Sequence, residues 1–281
     1  MLIFQKLVSF IFFTSFILNN AFITSSVERI DVNLRDQEIA FTFLALENGE
    51  ATLLQFPDGE NILINTGARS SQKELDNWLN LYGADRISTV IVTKEDPGYI
   101  GNLEHVIKRY QSRQVILSKR LFEQWKENHS YPNGVAVQWW DSGTRIELSP
   151  DVLLEVLYNG SAPTEGMDFS ITFFAHRFLF LSSYGSDSES KLLGEKLQDV
   201  NIVKLPNYGG AQAITKKLAK HIDPQVAILF KMDSIKPNEM IVKLLDDMWI
   251  DAYLTKEHGT ITIKCTDVTY EIVHIHPKGK E

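Results

Sequence analysis

The sequence predicts a layered α/β domain. Three observations carry that expectation: a strand-rich start, an alternation of apolar runs with helically spaced runs after it, and no internal repeat or low-complexity stretch. With 281 residues, 44% hydrophobic and 23% charged, the composition is that of an ordinary globular protein. One domain of about 250 residues is long enough to bury a large core.

The elements follow in order. Residues 27–38 form a polar lead-in. Residues 40–44 and 51–56 are strand-like, Pro57-Asp58-Gly59-Glu60 is a turn by residue chemistry, and 61–65 is a third strand closed by Thr66-Gly67. Leu75, Trp78, Leu79 and Tyr82 recur at helical spacing, with Gly83 as a stop, and predict a helix over 70–82. A strand at 87–93, a helix at 102–110 and a strand at 114–117 come next. Residues 121–150 read as the loosest part, with a turn at 131–134 and the pair Trp139-Trp140. Strands are expected at 153–157, 171–175, 178–182, 201–205, 226–230, 252–255, 260–265 and 270–274, and helices at 188–197, 214–221 and 238–248.

At the N-terminus Lys6 precedes an apolar run at 7–18, followed by Asn19-Asn20-Ala21 and Thr24-Ser25-Ser26. This fits a secretory signal, or an uncleaved anchor if the segment is read through residues 7–23. The division expected is 1–26 signal peptide or membrane anchor, 27–38 lead-in and 39–276 folded domain. On either reading the body of the chain is exported, to the extracellular side or the outer face of a bacterial cytoplasmic membrane. No cysteine follows the run, so no lipoprotein is expected; the one cysteine, Cys265, lies in a strand-like run and reads as a buried structural thiol. The net charge of −8 argues against broad nucleic-acid binding, because neutralising phosphates takes a density of Lys and Arg. Lys216, Lys217 and Lys220 read as the solvated face of a helix.

Several short runs, all in one order, resemble the metallo-β-lactamase superfamily, and more narrowly the extracellular hydrolase-like domain of the competence protein ComEC family. Residues 43–51, FLALENGEA, are similar to F-L-D-V-G-Q-G-D-A; Gln55-Phe56-Pro57-Asp58-Gly59 and Leu63-Ile64-Asn65-Thr66-Gly67 resemble Q-F-P-N-G and L-I-D-T-G. Residues 93–103, TKEDPGYIGNL, sit where that family has T-H-P-D-A-D-H-I-G-G-L, and Val203-Lys204-Leu205-Pro206-Asn207-Tyr208-Gly209-Gly210 sits at its L-K-V-P-H-H-G-S. The resemblance implies a four-layer αββα metallo-β-lactamase-like sandwich.

It also implies that the metal ligands fall on Lys94, Asp96, Gly98 and Tyr99, on Tyr184 in place of a bridging Asp, and on Asn207 and Tyr208 in place of His-His. The Asp of L-I-D-T-G falls on Asn65 and a late His-Pro on Lys236-Pro237. Of these positions only Asp96 keeps a metal-binding side chain. A dinuclear hydrolytic site needs two cations about 3.5–4 Å apart, each with several His, Cys or carboxylate ligands. Loss of such a set forfeits binding free energy on the order of 10–16 kcal/mol. The expectation is that the Lys94 ammonium stands in for a cation and pairs with Asp96, and that no cofactor is bound. Asp187 and Glu189 are the acidic neighbours of Tyr184. Only His274-x-His276 has ligand-like histidine spacing, at the tail.

Two functions remain open. One is an exported non-catalytic protein, a pseudoenzyme that uses the vacated pocket (Asn65, Lys94, Asp96, Tyr99, Tyr184, Asn207, Tyr208) to bind a small molecule or a protein. The other is an atypical hydrolase of nucleic acid or a phosphoester.

Overall fold

The computed structural model describes residues 29–128, 134–160 and 162–276. The N-terminal apolar run and the residues 131–133 of the expected turn lie outside the described residues. Among those described, no helix is long and apolar enough to cross a membrane.

Two mixed sheets face each other. The first has eight strands in the order β15-β14-β1-β2-β3-β4-β5-β6, the second seven in the order β13-β12-β11-β10-β9-β8-β7. In the first, β1 (Ile39–Phe43), β2 (Thr52–Gln55) and β3 (Asn61–Ile64) are antiparallel, and β4 (Thr89–Val92), β5 (Gln114–Leu117) and β6 (Ala136–Trp139) continue from β3 in parallel. β14 (Thr260–Cys265) and β15 (Tyr270–Ile275) extend the antiparallel side. In the second, β7 (Arg145–Ser149), β8 (Val152–Asn159), β9 (Met167–Phe173) and β10 (His176–Phe180) are antiparallel. β11 (Ile202–Lys204), β12 (Val226–Leu229) and β13 (Asp251–Leu254) run parallel to β10.

Parallel neighbours need crossovers, and helices supply them on the outer faces. α1 (Gln72–Leu81) buries Leu75, Trp78 and Leu79, the apolar stripe seen in the sequence, against Leu53, Leu63 and Val90 of the first sheet. α2 (Pro97–Ile100), α3 (Leu103–Arg109) and α4 (Lys119–Asn128) complete that layer. α5 (Ser186–Leu192), α6 (Lys216–Ile222) and α7 (Glu239–Asp247) cover the second sheet, and α8 (Thr255–His258) leads into β14. The result is an α-β-β-α stack, as the resemblance implies.

Between the sheets lies an aromatic core. Phe41 stacks on Phe178 at 3.9 Å and Phe169 on Phe180 at 5.0 Å between ring centroids. Phe41 meets Phe178 across the two sheets, while Phe169 and Phe180 are cross-strand neighbours on β9 and β10 of the second sheet, and alternation along each strand turns them inward together.

Two expectations fail. Among the described residues of 121–150, α4 runs to Asn128 and β6 and β7 follow, so this part is not loose; Leu121 and Trp125, one helical turn apart, both bury. The helix expected at 188–197 ends at Leu192, where the Gly194 N–H turns back to the Lys191 carbonyl. Truncating Phe180 to alanine removes a ring packed between both sheets and should cost about 3–5 kcal/mol, read from urea unfolding.

Candidate functional site

The carboxyl ends of β3, β4, β10 and β11 open at one end of the sandwich, the place where open α/β sheets characteristically bind ligands. Every residue expected at the site comes from a turn at this end.

The turn after β3 puts Asn65 at φ 60°, a left-handed conformation that Asn tolerates. Its carboxamide oxygen accepts from the Thr93 N–H (2.9 Å) and hydroxyl (3.1 Å), and its amide donates to Glu50 Oε1 at 2.6 Å. Lys204 Nζ donates to the same Glu50 oxygen at 2.7 Å, with both side chains at most 2% exposed. Burial drives the Glu50 pKa upward against the opposing pull of Lys204 and Asn65. An Asp at position 65 would set a second carboxylate against Glu50; an amide supplies the donor that Glu50 needs.

The network continues. Ser182 donates its hydroxyl to Thr93 Oγ1 at 2.7 Å, and Asp168 Oδ1 accepts from the Ser182 (2.6 Å) and Ser183 (2.9 Å) N–H groups. Asp168 is fully buried and its Oδ2 has no hydrogen-bond partner. Burial pushes its pKa up to about 6, against those amides. A chain of polar contacts thus runs from Asp168 through Ser182, Thr93, Asn65 and Glu50 to Lys204, and crosses between the sheets.

The loop after β4 carries the expected ligand positions. Asp96 caps α2: its Oδ1 accepts from the Gly98 N–H at 2.8 Å, with Pro97 opening the helix. Lys94 is 5% exposed. Its ammonium donates to the Thr164 carbonyl (3.3 Å) and lies 4.4 Å above the Tyr184 ring. Burial lowers its pKa, and Asp96 opposes that shift from a distance. The expected Lys94–Asp96 ion pair is therefore not formed. Asp96 is turned to the α2 N-terminus and Lys94 to the Tyr184 face; the buried ion pair of this end is Glu50–Lys204.

Two tyrosines close the end. Tyr99 and Tyr208 are each 1% exposed and meet edge to face at 5.8 Å. Tyr208 donates to Asp96 Oδ1 at 3.4 Å, and a Cβ built on Gly98 would fall on its hydroxyl. Burial raises the pKa of both phenols. Asn207 and Tyr208 hold φ of 51° and 54°; Asn accepts this region, and for Tyr208 it is strain of about 1–2 kcal/mol. It is tolerated where the surroundings over-determine the backbone. Lys204 Nζ sits 5.3 Å over the Tyr99 ring.

The structure therefore brings Asn65, Lys94, Asp96, Tyr99, Tyr184, Asn207 and Tyr208 to one end. The positions expected to hold ligands carry an ammonium, one capping carboxylate, a glycine, phenols and an amide. That donor set does not fit a dinuclear metal centre. Among the described residues no three His, Cys, Asp or Glu side chains are grouped to hold a metal ion. Glu189 is taken by Thr215 at 2.8 Å and Asp187 by Ser186 at 3.2 Å. His274 and His276 lie on and just past the edge strand β15, 6.2 Å apart between ring centroids. Lys236-Pro237 lines a separate cleft of about 60 Å³ with Lys231 and Lys256. Glu50, Asp168 and Lys204 were missed in the sequence; single charges inside or beside apolar strand runs were the signal.

No protein-family profile matches the sequence, and no curated protein matches it. Solved structures do match. The metallo-beta-lactamase fold protein YhfI from Bacillus subtilis superposes with a TM-score of 0.59 at 13% identity, over 77% of this chain and 96% of that one. The chain has the metallo-β-lactamase fold. A metallo hydrolase from the archaeon Ignicoccus hospitalis shares this fold with a TM-score of 0.55 at 13% identity, over 79% and 98% of the two chains. A metallo-beta-lactamase from Cronobacter sakazakii gives 0.50 at 15%, over 70% and 86%.

Two outcomes follow for the polar network. Lys204→Met leaves Glu50 buried and unpaired and should cost about 3–5 kcal/mol in urea unfolding, while Glu50→Gln with Lys204→Met should recover most of it. For Asp168, whose pKa moves from 3.8 to about 6, the folded chain keeps a proton that the unfolded chain has released. Its contribution to stability therefore falls as the pH rises from about 4 to about 6, by about 3 kcal/mol at most. Asp168→Asn should flatten that slope in melts taken across this range; Glu50 titrates in both proteins and cancels.

Proposed function

We propose that this chain is an exported metallo-β-lactamase-fold pseudoenzyme: a binding or accessory module that works at the former metal end rather than a metal-dependent hydrolase. One observation carries the reading. The sole carboxylate among the expected ligand positions, Asp96, is engaged as the cap of α2, and Tyr208 packs where a side chain at position 98 would stand. The apolar run at 7–18 behind Lys6 supports export. The narrower kinship with the competence-protein hydrolase-like domain rests on the short runs at 43–51, 93–103 and 203–210.

Ligand binding at this end would use Lys94 and the half-buried faces of Tyr184 and Asn207, because Asn65, Tyr99 and Tyr208 are committed to packing. An ammonium on an aromatic face suits an anionic group on a small molecule or a protein. A second reading draws on the burial of Lys94, which lowers its pKa: an amine that gives up its proton more readily beside a phenol is a candidate base for metal-poor phosphoester hydrolysis. The neighbour described as a metallo hydrolase lends that reading its reaction class.

Metal analysis of the purified chain separates the two. Zinc, manganese and iron are expected far below the one to two ions per chain of a dinuclear hydrolase, and added manganese or zinc should give no phosphodiesterase turnover. Changing Lys94→His, Gly98→Asp and Tyr99→His together should restore neither, because Tyr184, Asn207 and Tyr208 still supply no strong ligand. Robust hydrolysis by that triple variant would sink the reading.

A further inference from the structure

The opposite end of the sandwich carries its own pattern. Strand direction decides which turns meet there: β9 ends at Phe173 and β10 starts at His176, β14 ends at Cys265 and β15 starts at Tyr270, and β13 starts at Asp251. Tyr270 bonds Gln225 through its hydroxyl (2.7 Å), and the Asp251 N–H donates to the Gln225 carbonyl (2.9 Å), which ties the last two turns together. Asp168 and Phe173 stand at opposite ends of β9, so this end lies about 17 Å from the buried network at ~3.3 Å per residue.

Each of three turns here holds an apolar side chain in solvent. Phe174 is 40% exposed, Trp249 93% and Val268 71%. Phe174 and Trp249 also take φ of 47° and 57°, a region that bulky side chains rarely occupy because Cβ crowds the backbone. Glycine or asparagine would relieve both turns. Aromatic rings there keep strained backbone and wet apolar surface together, which brings the isolated domain nothing.

The chain enters the domain at the same end. The Ile30 N–H donates to the Leu81 carbonyl (2.7 Å), and Arg29 reaches Asp85 (3.2 Å), at the close of α1. Lys264 Nζ donates to the carbonyls of Val32 (3.2 Å) and Asn33 (2.9 Å), beside Cys265 at the base of β14. The apolar run at 7–18 ends shortly before this point in the sequence. A fully extended chain from residue 18 to residue 29 spans at most about 40 Å. A bilayer that holds the run therefore keeps this end within that reach.

We propose that this end rests on a membrane, with Phe174, Trp249 and Val268 entering the boundary between headgroups and acyl chains and the Lys94–Tyr208 end facing away. Indole and phenyl rings favour that boundary, and turn tips can reach it without unfolding any strand. Charge selects the lipid. Asp36, Asp58, Glu60, Asp151, Asp223, Asp251 and Asp267 on turns or strand starts of the same end outnumber its exposed Arg35, Arg86 and Arg113, while Arg29 and Lys264 are paired with Asp85 and Glu38. Strongly anionic headgroups would be repelled, so the surface fits a zwitterionic one. The inference holds whatever the Lys94 end binds.

The test uses the full chain in phosphatidylcholine vesicles with brominated or ordinary acyl chains. Trp249 emission is isolated as the difference between the protein and its Trp249→Phe variant. Bromination should remove most of that emission. A second reporter, Phe174→Trp in the Trp249→Phe background, should be quenched in the same way. A third, Lys236→Trp in that background, sits at the other end and should stay bright. Equal quenching of the Lys236 and Trp249 reporters, or no quenching at Trp249, would overturn the proposal. So would quenching that needs phosphatidylglycerol and is released by salt, since that would mark electrostatic docking instead of insertion.

Discussion

One buried ion pair organises the end of the sandwich where β3, β4, β10 and β11 open. Glu50 arrives from the loop before β2 in the first sheet and Lys204 from β11 in the second, and they meet at 2.7 Å with almost no exposure. Taking both charges out of water is costly, so the pair is tolerable only with further partners. Asn65 supplies one, and through it the contacts reach Thr93, Ser182 and Asp168. The ends of β3, β4, β10 and β11 are thus tied together by buried polar side chains, two of which, Glu50 and Lys204, would be isolated charges without each other. Asn65 adopts left-handed backbone because only there does its amide face Glu50 while its carbonyl faces Thr93.

Much of the fold was legible because it is written in periodicity. Leu75, Trp78 and Leu79 mark one face of α1, and the alternating phenylalanines of β1, β9 and β10 mark the inter-sheet core. The part from 121 to 150 misled because β6 and β7 alternate between exposed and half-buried rather than between buried and exposed. The short runs named seven residues, and the structure brings the turns that carry them to one end of the sandwich. The partners of Lys94 and Asp96 were not legible, because sequence separation between 94 and 96 says nothing of where each side chain points. Tyr184 and the α2 N-terminus won those contacts, through a ring face and a free N–H. Glu50, Asp168 and Lys204 were invisible as a group, since their sequence positions are far apart and only the closing of two sheets unites them.

The electrostatic character of this end follows from the same exchange. A metal centre would concentrate positive charge and depress the pKa of everything bound to it. Here two ammonium groups stand among phenols whose pKa values burial pushes upward, and carboxylates that burial makes harder to ionise. The environment favours neutral hydroxyls that donate hydrogen bonds over ionised groups that ligate or attack.

The contact between Tyr208 and Gly98 has a consequence for sequence change. A side chain at 98 requires the Tyr208 phenol to move, and a smaller residue at 208 would open a void beside the Tyr99 ring and deprive Asp96 of a donor. Neither position can drift toward a coordinating residue by itself without passing through a less stable protein. The two positions therefore constrain each other: a larger residue at 98 and a smaller one at 208 are accommodated together more readily than either change alone.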